Sequence, residues 1–449
     1  MVGALVGTPA SGPTGDAPSA GELELFGELE ARALSNLAGQ VQRPTPAPFP
    51  WAEPLFTIGV TGTNGKSSTT HLIAHTLREA SLGVLTESTL GYWLNGEALD
   101  VPRTSLGYLS ALRLAASRGA RHAVAEVTSA ALARGFARVW RYDLAVFTNL
   151  SRDHLEAHGS WEHYLASKAQ LFVHLGPGQT AVLNACDPAA LLLDRVTPGD
   201  VQRQFFAVDS RGERLTPADL AAKRVELSAS GTRIELEASP CAEALGGVLT
   251  TRFVGPVFAE NVLAAALACL ATGVAPAVVR AGIAACPVVS GRFEVVAASP
   301  IVAIDYAHTP DALARTCATA RELAQGGRVI VVFGAGGGAD TPKREPMGRA
   351  VGERADLAVI TSDNPRNDEP KDIAAAVARG ARRGGRAYVQ IELDRAKAIL
   401  RALNSAKPND VLVICGKGHE RGQTVRGVEH PFSDHEEVER WLGRGPRSE

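Results

Sequence analysis

From Leu55 onward the chain alternates short apolar runs with longer amphipathic stretches. The runs "FTIGV" (56–60), "HAVAEV" (122–127) and "LAVFTNL" (144–150) are apolar at successive positions. That pattern predicts strands covered on both faces, as in a mostly parallel sheet. The stretch 201–257 follows a different rule: "RVELSASGTRIELEA" alternates apolar and polar residues and predicts a β-hairpin with a Ser-Gly turn. "GVLTTRFVGP" adds a further strand, and "FAENVLAAALACLATG" (258–273) predicts a helix stopped by glycine. After "PVVSGRFEVV" a second α/β series begins, with strands at "PIVAIDY" (300–306), "RVIVVFG" (328–334), "DLAVITS" (356–362), "RAYVQI" (386–391) and "DVLVICG" (410–416). Upstream, residues 1–20 are small residues, Pro and Gly, and predict disorder. "GELELFGELEARALSNLAGQ" predicts one amphipathic helix with Leu23, Leu25, Phe26, Leu29 and Leu34 on its apolar face. The Pro-rich "RPTPAPFPWAEP" ends it.

Composition narrows the classes. A length of 449 residues exceeds what one core usually holds, and 45% hydrophobic with 21% charged residues is a core-forming balance. The organisation expected is a tail, helix and linker (1–54), a central α/β domain (55–290) and a C-terminal α/β domain (291–449), joined near Gly291. A net charge of −2 gives no bulk reason to expect nucleic acid or an anionic membrane as partner. No apolar run reaches the ~18 residues that span a bilayer, and the N-terminus lacks a basic region followed by an apolar core. The six cysteines are scattered without a CxxC pair, which predicts reduced thiols and a cytoplasmic protein.

The first chemical motif is "GVTGTNGKSSTT" (59–70), which follows a strand and opens a helix. Val60 stands where the strict P-loop pattern has glycine, leaving the shorter Gly-x-x-Gly-Lys-Ser form. Gly62 and Gly65 let the backbone curl, so that the loop Gly62, Thr63, Asn64, Gly65 and the helix start at Lys66, Ser67 and Ser68 can present N–H groups to phosphate. Lys66 can bridge the terminal phosphates of ATP, and Ser67 can ligate magnesium. The plainer reading is a Gly-rich turn of an ordinary βα unit. Glu126 ends a strand at the edge where this loop should lie, and reads either as a magnesium ligand or as an exposed strand-end acid. The fold class expected is therefore α/β, a P-loop ATPase-like, mostly parallel sheet followed by a Rossmann-like C-terminal domain.

"FTNLSRDHLEAHGSWEHYLASKAQLF" (147–172) gathers Asp153, His154, His158, His163 and Lys168 in one loop and helix, the helix running from Trp161 to Phe172. His154 can ligate a metal through a neutral ring nitrogen. Lys168 reads as a surface lysine or, carbamylated by carbon dioxide, as an anionic oxygen ligand for a hard cation. His163 is expected on the solvent face, and His158 is open. "GAGGG" after "RVIVVF" lacks the Gly-x-Gly-x-x-Gly context and the distant acid of a dinucleotide site.

"TGTNGKSST", "FTNLSRDHLEAHG", "LASK", "GRFEV", "DYAHTPDAL", "TSDNPR" and "GKGHE" occur in that order, and together resemble the Mur ligase family. These are ATP-dependent amide-bond ligases of cell-wall peptide assembly. The resemblance runs from about residue 56 to 440 and is strongest to members that add diaminopimelate. It implies ATP and two magnesium ions, with Ser67, Glu126, His154 and a carbamylated Lys168 around the metals. It places Asn261 at the adenine, Arg292 and Asp305 on ATP, and His308 near the nucleotide and the reacting carboxyl. Lys66, His154, Lys168 and His308 are the implied catalytic set. Arg344, Asn364, Arg366, Gly416 and Glu420 match positions holding the incoming amino acid, and Thr104 and Ser105 those holding the carboxylate acceptor. The planar fork of Arg366 suits a distal carboxylate and so favours a diaminopimelate-like amino acid; read alone, "SDNPR" is a strand-ending turn.

Departures from the family pattern fall where acceptor or nucleotide would be handled. About 55 residues precede the loop, where related ligases carry a larger UDP-gripping domain. Ala130 replaces a histidine, Arg103 an asparagine, and Gly338 and Ala339 an Asp-Arg pair, although Asp340, Lys343 and Arg344 remain. The expectation is a working ligase with an altered acceptor. Two rivals stand beside the diaminopimelate-adding reading. One is a paralogue that joins an amino acid or amine to a non-UDP acceptor, such as a secondary metabolite, a folate-like molecule or a tetrapyrrole. The other is a non-catalytic, nucleotide-binding subunit with a protein partner docked through residues 21–42.

Overall fold

The computed structural model describes residues 55–151, 158–209, 212–338 and 341–443. The helix expected at 21–42 and the N-terminal tail lie outside the described residues, as do Asp153, His154, Ala339 and Asp340.

One large sheet comprises β1 (Phe56–Thr61), β2 (Val84–Ser88), β3 (Gly91–Leu94), β4 (Glu97–Leu99), β5 (His122–Glu126), β6 (Leu144–Phe147), β7 (Thr180–Asn184), β8 (Gln202–Ala207), β9 (Leu220–Ser228), β10 (Gly231–Leu236) and β11 (Val248–Thr251). Their order is β11-β10-β9-β8-β7-β6-β1-β5-β2-β3-β4. The run from β9 to β2 is parallel and both flanks are antiparallel. The continuous apolar strands have the cause expected of them. Ile58, Val60, Val124, Leu144 and Val146 pack into the core on one face. Ala123, Ala125, Ala145 and Phe147 pack into the core on the other. The hairpin of 201–257 is present, but it extends this same sheet, and the register Ser228↔Gly231 puts Ala229 and Ser230 in the turn instead of Ser-Gly.

The helix Pro256–Ala271 is buried along most of its length and runs beneath the sheet beside the helix Lys66–Glu79. Its many alanines allow that close approach. β1 lies between β5 and β6, and the chain leaves it first toward β2 and later toward β6, β7 and β8. The loop after β1 therefore opens at a topological switch point, where open α/β sheets bind ligands.

The second sheet has the order β12-β13-β17-β14-β15-β16, from β12 (Glu294–Ala298), β13 (Ile301–Asp305), β14 (Val329–Phe333), β15 (Leu357–Ile360), β16 (Tyr388–Ile391) and β17 (Val411–Cys415). All five predicted strands are there and parallel, and β12 is an antiparallel edge that the sequence pattern did not single out. A hairpin of β18 (Gly422–Val425) and β19 (Val428–Pro431) follows the last of them. No helix among the described residues is long and apolar enough to cross a membrane.

The C-terminal helix Asp434–Trp441 is fastened to β12 by His435, whose Nε2 lies 2.7 Å from Glu294 Oε2. That hydrogen bond raises the His435 pKa. Burial acts to raise the Glu294 carboxyl, but the bonds from His435 and Gly291 N–H outweigh it and hold the pKa low. The histidine's contribution is complete below its unfolded value of 6.5 and is lost as pH rises through the folded value. The glutamate's is present above 4.5 and is lost as pH falls. His435→Gln should therefore cost most between those values, about 0.5–1 kcal/mol for this half-buried pair. Urea midpoints at pH 6 and pH 9 should show a difference from wild type that shrinks at the higher pH.

Candidate functional site

β1 delivers the loop 62–65 to the switch point. Gly62 has φ +151°, and a Cβ there would strike the Thr148 hydroxyl; Gly65 has φ +85°, and a Cβ there would strike the Asn261 amide. Both positions need glycine for conformation and for space. The segment after β6 braces the loop. Thr63 N–H donates to Asn149 O at 2.8 Å, Asn64 N–H to Asn149 Oδ1 at 3.0 Å, and Thr148 Oγ1 to Asn64 O at 2.7 Å. The helix Lys66–Glu79 then starts without a side-chain cap on Gly65, so its first N–H groups and its positive end face the opening.

At that opening Ser67 Oγ donates to Glu126 Oε2 at 2.7 Å. Lys66 Nζ donates back to Thr63 O at 2.8 Å and stands 3.9 Å from Glu126 Oε1. Arg292, from the connector to the second sheet, reaches across to Ser67 Oγ at 3.2 Å, with its guanidinium 4.7 Å over the Tyr306 ring. Burial acts to raise the Glu126 carboxyl, yet Lys66, Ser67 and Arg292 together hold it below the ordinary glutamate value. A carboxylate kept ionised beside a hydroxyl, with two cations facing it, is a donor set for a hard cation and a polyphosphate. Among the described residues no three His, Cys, Asp or Glu side chains cluster as a metal site.

Lys168 is fully buried on the helix Trp161–Val173, which discards the surface reading. Its Nζ donates to Gly62 O at 2.8 Å and lies 4.4 Å over the Tyr164 ring, whose hydroxyl is 3.1 Å from Thr63 Oγ1. Lysine is rarely buried without a specific partner, and here the partner is the phosphate-loop backbone. His163 is exposed, as expected. His158 turns inward, with Nε2 3.0 Å from Ser129 Oγ.

These groups line a cavity of about 560 Å³ whose far wall comes from the second sheet and its connector: Arg292, Asp305, Tyr306 and His308. The Asp305 carboxyl takes a 2.6 Å hydrogen bond from Thr316 and is raised by burial. His308 Nδ1 lies 2.8 Å from Tyr306 O, which fixes that ring. Asn261 is buried beside Gly65 with neither amide atom hydrogen-bonded. Besides Arg292, side chains of the helix Pro310–Ala324 tie the halves together. Asn64 Nδ2 donates to Asp311 Oδ2 at 3.2 Å, and Arg315 bridges Asp311 to the buried Glu260.

A second cavity of about 350 Å³ adjoins the first, and Thr89, Arg103, Glu126, Thr128 and Ala130 line both. Thr104 and Ser105 open onto it, the Thr104 hydroxyl also capping the helix Ser105–Ser117 through Gly107 N–H at 3.0 Å. Glu87 lies in its wall, its carboxyl pushed up to about 8 by burial and by the neighbouring Glu126.

The remaining sequence-predicted residues meet at the carboxyl ends of β14, β15 and β17. Asn364 Nδ2 donates to Glu420 Oε2 at 2.9 Å. Arg366, exposed and at φ +53°, reaches Gly337 O at 3.3 Å. Arg344 pairs with Asp368 and reaches Gly336 O. Gly416 has φ +114°, and a Cβ there would press on Asp363. Gly291 of the connector (φ +69°) touches the backbone of Gly418 and His419 with no room for a Cβ.

A protein-family model, Mur ligase middle domain, matches residues 60–269, and a second, Mur ligase, glutamate ligase domain, matches 291–418. The chain belongs to the Mur ligase family. The UDP-N-acetylmuramoyl-L-alanyl-D-glutamate–2,6-diaminopimelate ligase of Aquifex aeolicus (strain VF5) is 38% identical over 405 residues, 87% of this chain and 78% of that protein. The ligase of that name from Halalkalibacterium halodurans is 38% identical over 385 residues, 84% and 76% of the two chains. A solved structure of a ligase with that name superposes with a TM-score of 0.59 at 29% identity, covering 94% of this chain and 82% of its own.

As a Mur ligase the chain is an ATP-dependent amide-bond-forming enzyme that uses magnesium, and the reading as a non-catalytic subunit is set aside. Features of the structure fit those groups. The cradle around Gly62 and Gly65 excludes any Cβ, the Asn261 amide is buried and unpaired, and the Ser67–Glu126 oxygen pair suits magnesium. Sequence reasoning assigned no role to Tyr306, Arg315 or Lys417, although "DYAHTP" and "GKGHE" contain the first and last of them. Their decisive partners come from distant segments, Asn364 for Lys417, Glu260 for Arg315 and the Arg292 guanidinium for Tyr306, so no local pattern marked them.

Proposed function

We propose that this Mur ligase joins a diaminopimelate-like amino acid to a carboxylate acceptor through an acyl-phosphate. The observation that carries the reading is the cavity in which Lys66, Ser67 and Glu126 face Arg292, Asp305 and His308 from the second sheet. Ser67, Glu126, a carbamylated Lys168 and His154 would hold magnesium, which would supply charge neutralisation at the phosphates. Lys66 and the helix start bind the terminal phosphates, and the Asn261 amide takes the adenine edge. Arg292 and Asp305 hold the nucleotide from the second domain, which we take to begin near Gly291. The acceptor lies in the second cavity against Thr104 and Ser105. Its carboxylate oxygen attacks the γ-phosphorus, the β–γ bridging bond breaks, and ADP leaves. The amine of the incoming amino acid, held by Asn364, Glu420, Gly416, Arg344 and Arg366, then attacks the acyl carbon. Phosphate departs, the amine loses a proton, and an amide remains. His308 lies beside the reacting carboxyl. Cavity walls from both domains exclude the water that would hydrolyse the acyl-phosphate. Six unpaired cysteines fit a cytoplasmic site for this chemistry.

Wild-type enzyme should release ADP when given UDP-N-acetylmuramoyl-alanyl-glutamate, meso-diaminopimelate, ATP and magnesium. One observation favours a second reading: Arg103 and Ala130, both departures from the family pattern, line the second cavity. An altered acceptor would then be the substrate, and ADP release with a non-UDP carboxylate but not with the muramoyl dipeptide would select it. For the amino acid, Arg366→Met should raise the KM for diaminopimelate about 10- to 100-fold, the loss of one charge-assisted contact. The KM for ATP should stay put. An unchanged diaminopimelate KM would remove Arg366 from the site.

A further inference from the structure

Lys417 follows β17 within "GKGHE" and is fully buried. Its Nζ donates to Asn364 Oδ1 at 3.0 Å and to Glu420 Oε2 at 3.0 Å, and lies 3.8 Å from Asp363 Oδ1. Asn364 Oδ1 also accepts from Thr424 N–H at 3.0 Å. An amide flipped the other way would set NH₂ against an ammonium and a backbone N–H, so only one orientation is satisfied. Asn364 Nδ2 is thereby aimed at Glu420 Oε2, and its second hydrogen remains for a ligand. Glu420 Oε2 takes both of these donors, which leaves Oε1 for a ligand. Asp363 is also buried, and its Oδ1 has no hydrogen bond.

We infer that Lys417 is a positioning residue for the amino-acid site: its buried ammonium locks the Asn364 amide and the Glu420 carboxylate in the one arrangement that offers an N–H and a carboxylate oxygen to an α-amino-acid zwitterion. The inference rests on the function proposed above. Lys417 touches neither ATP nor the acceptor cavity, since it lines neither of the two cavities described. Its effect belongs to the incoming amino acid alone. A positioning group of this kind lets a short polar site bind a small ligand without ordering loose side chains on arrival.

The test uses Lys417→Met and, because that change leaves Asp363 and Glu420 without their buried counter-charge, the double variant Lys417→Met/Asp363→Asn. Two measurements run on wild type and both variants: calorimetric titration with meso-diaminopimelate and titration with a fluorescent ATP analogue. Both variants should bind the nucleotide within twofold of wild type and meso-diaminopimelate at least 30-fold more weakly. In turnover, the KM for the amino acid should rise while the KM for ATP does not. Wild-type amino-acid affinity in the double variant would overturn the positioning role, leaving Lys417 only a charge neutraliser. A parallel fall in both affinities would overturn it as a general loss of structure. If wild type itself binds no α-amino acid, the site assignment falls, an outcome distinct from a binding site that ignores Lys417.

Discussion

Lys168→Ala should lower ATP-dependent ligation by about a thousandfold or more, the scale expected when a ligand of a catalytic metal is removed. The side chain is buried under the phosphate loop, and its Nζ holds Gly62 O at 2.8 Å. Two chemical states at that place make opposite demands on a rescuing molecule. If Lys168 works as a carbamate, the space vacated in Lys168→Ala should accept a small carboxylic acid, and activity should partly return with acetate or formate. If it works as an ammonium clamp on the loop, a small alkylamine should rescue and a carboxylate should not. The measurement is acceptor-dependent ADP release across a concentration series of each additive. Full activity of Lys168→Ala without additive would remove the residue from the metal site altogether.

Lys66→Met should be as severe, and for two reasons that reinforce each other. On the proposed assignment the phosphates would lose a side-chain cation, a transition-state contact in phosphoryl transfer. Glu126 loses the strongest influence holding its carboxyl down, because burial alone pushes that carboxyl up. The glutamate then protonates at higher pH and competes less well for magnesium. The expected result is a loss of about a thousandfold in kcat, with the remaining activity shifted toward alkaline pH and a raised magnesium requirement. A variant with the wild-type magnesium dependence and pH profile would refute the link between Lys66 and Glu126.

Much of this architecture was legible along the chain. "FTIGV", "HAVAEV" and "LAVFTNL" announced two-sided strands because apolar residues follow one another without a period-two alternation, and each packs into a core on both faces. "TGTNGKSST" was legible because a Gly-Gly-Lys-Ser spacing between a strand and a helix has few other physical uses. What the pattern withheld was partnership at long range. β12 was not singled out, although four of its five positions are apolar; its antiparallel pairing with β13 is not written in its own pattern. The 220–236 hairpin was visible, but its place at the end of the main sheet depends on the pairing of β8 with β9 at Phe206↔Leu220, which no local periodicity encodes. Lys168 read as a surface lysine in the absence of a family comparison. Its burial is set by Gly62, 106 positions away. The acceptor side was read through its departures, and Arg103 and Ala130 do stand together on a cavity wall.

The contact between Gly291 and Gly418 has a mechanical consequence. Two backbones meet there with no side chain between them, one from the connector to the second sheet and one from the loop that carries Glu420. A side chain added at Gly291 would therefore push straight on the Glu420 loop, with no yielding side chain between them to absorb it.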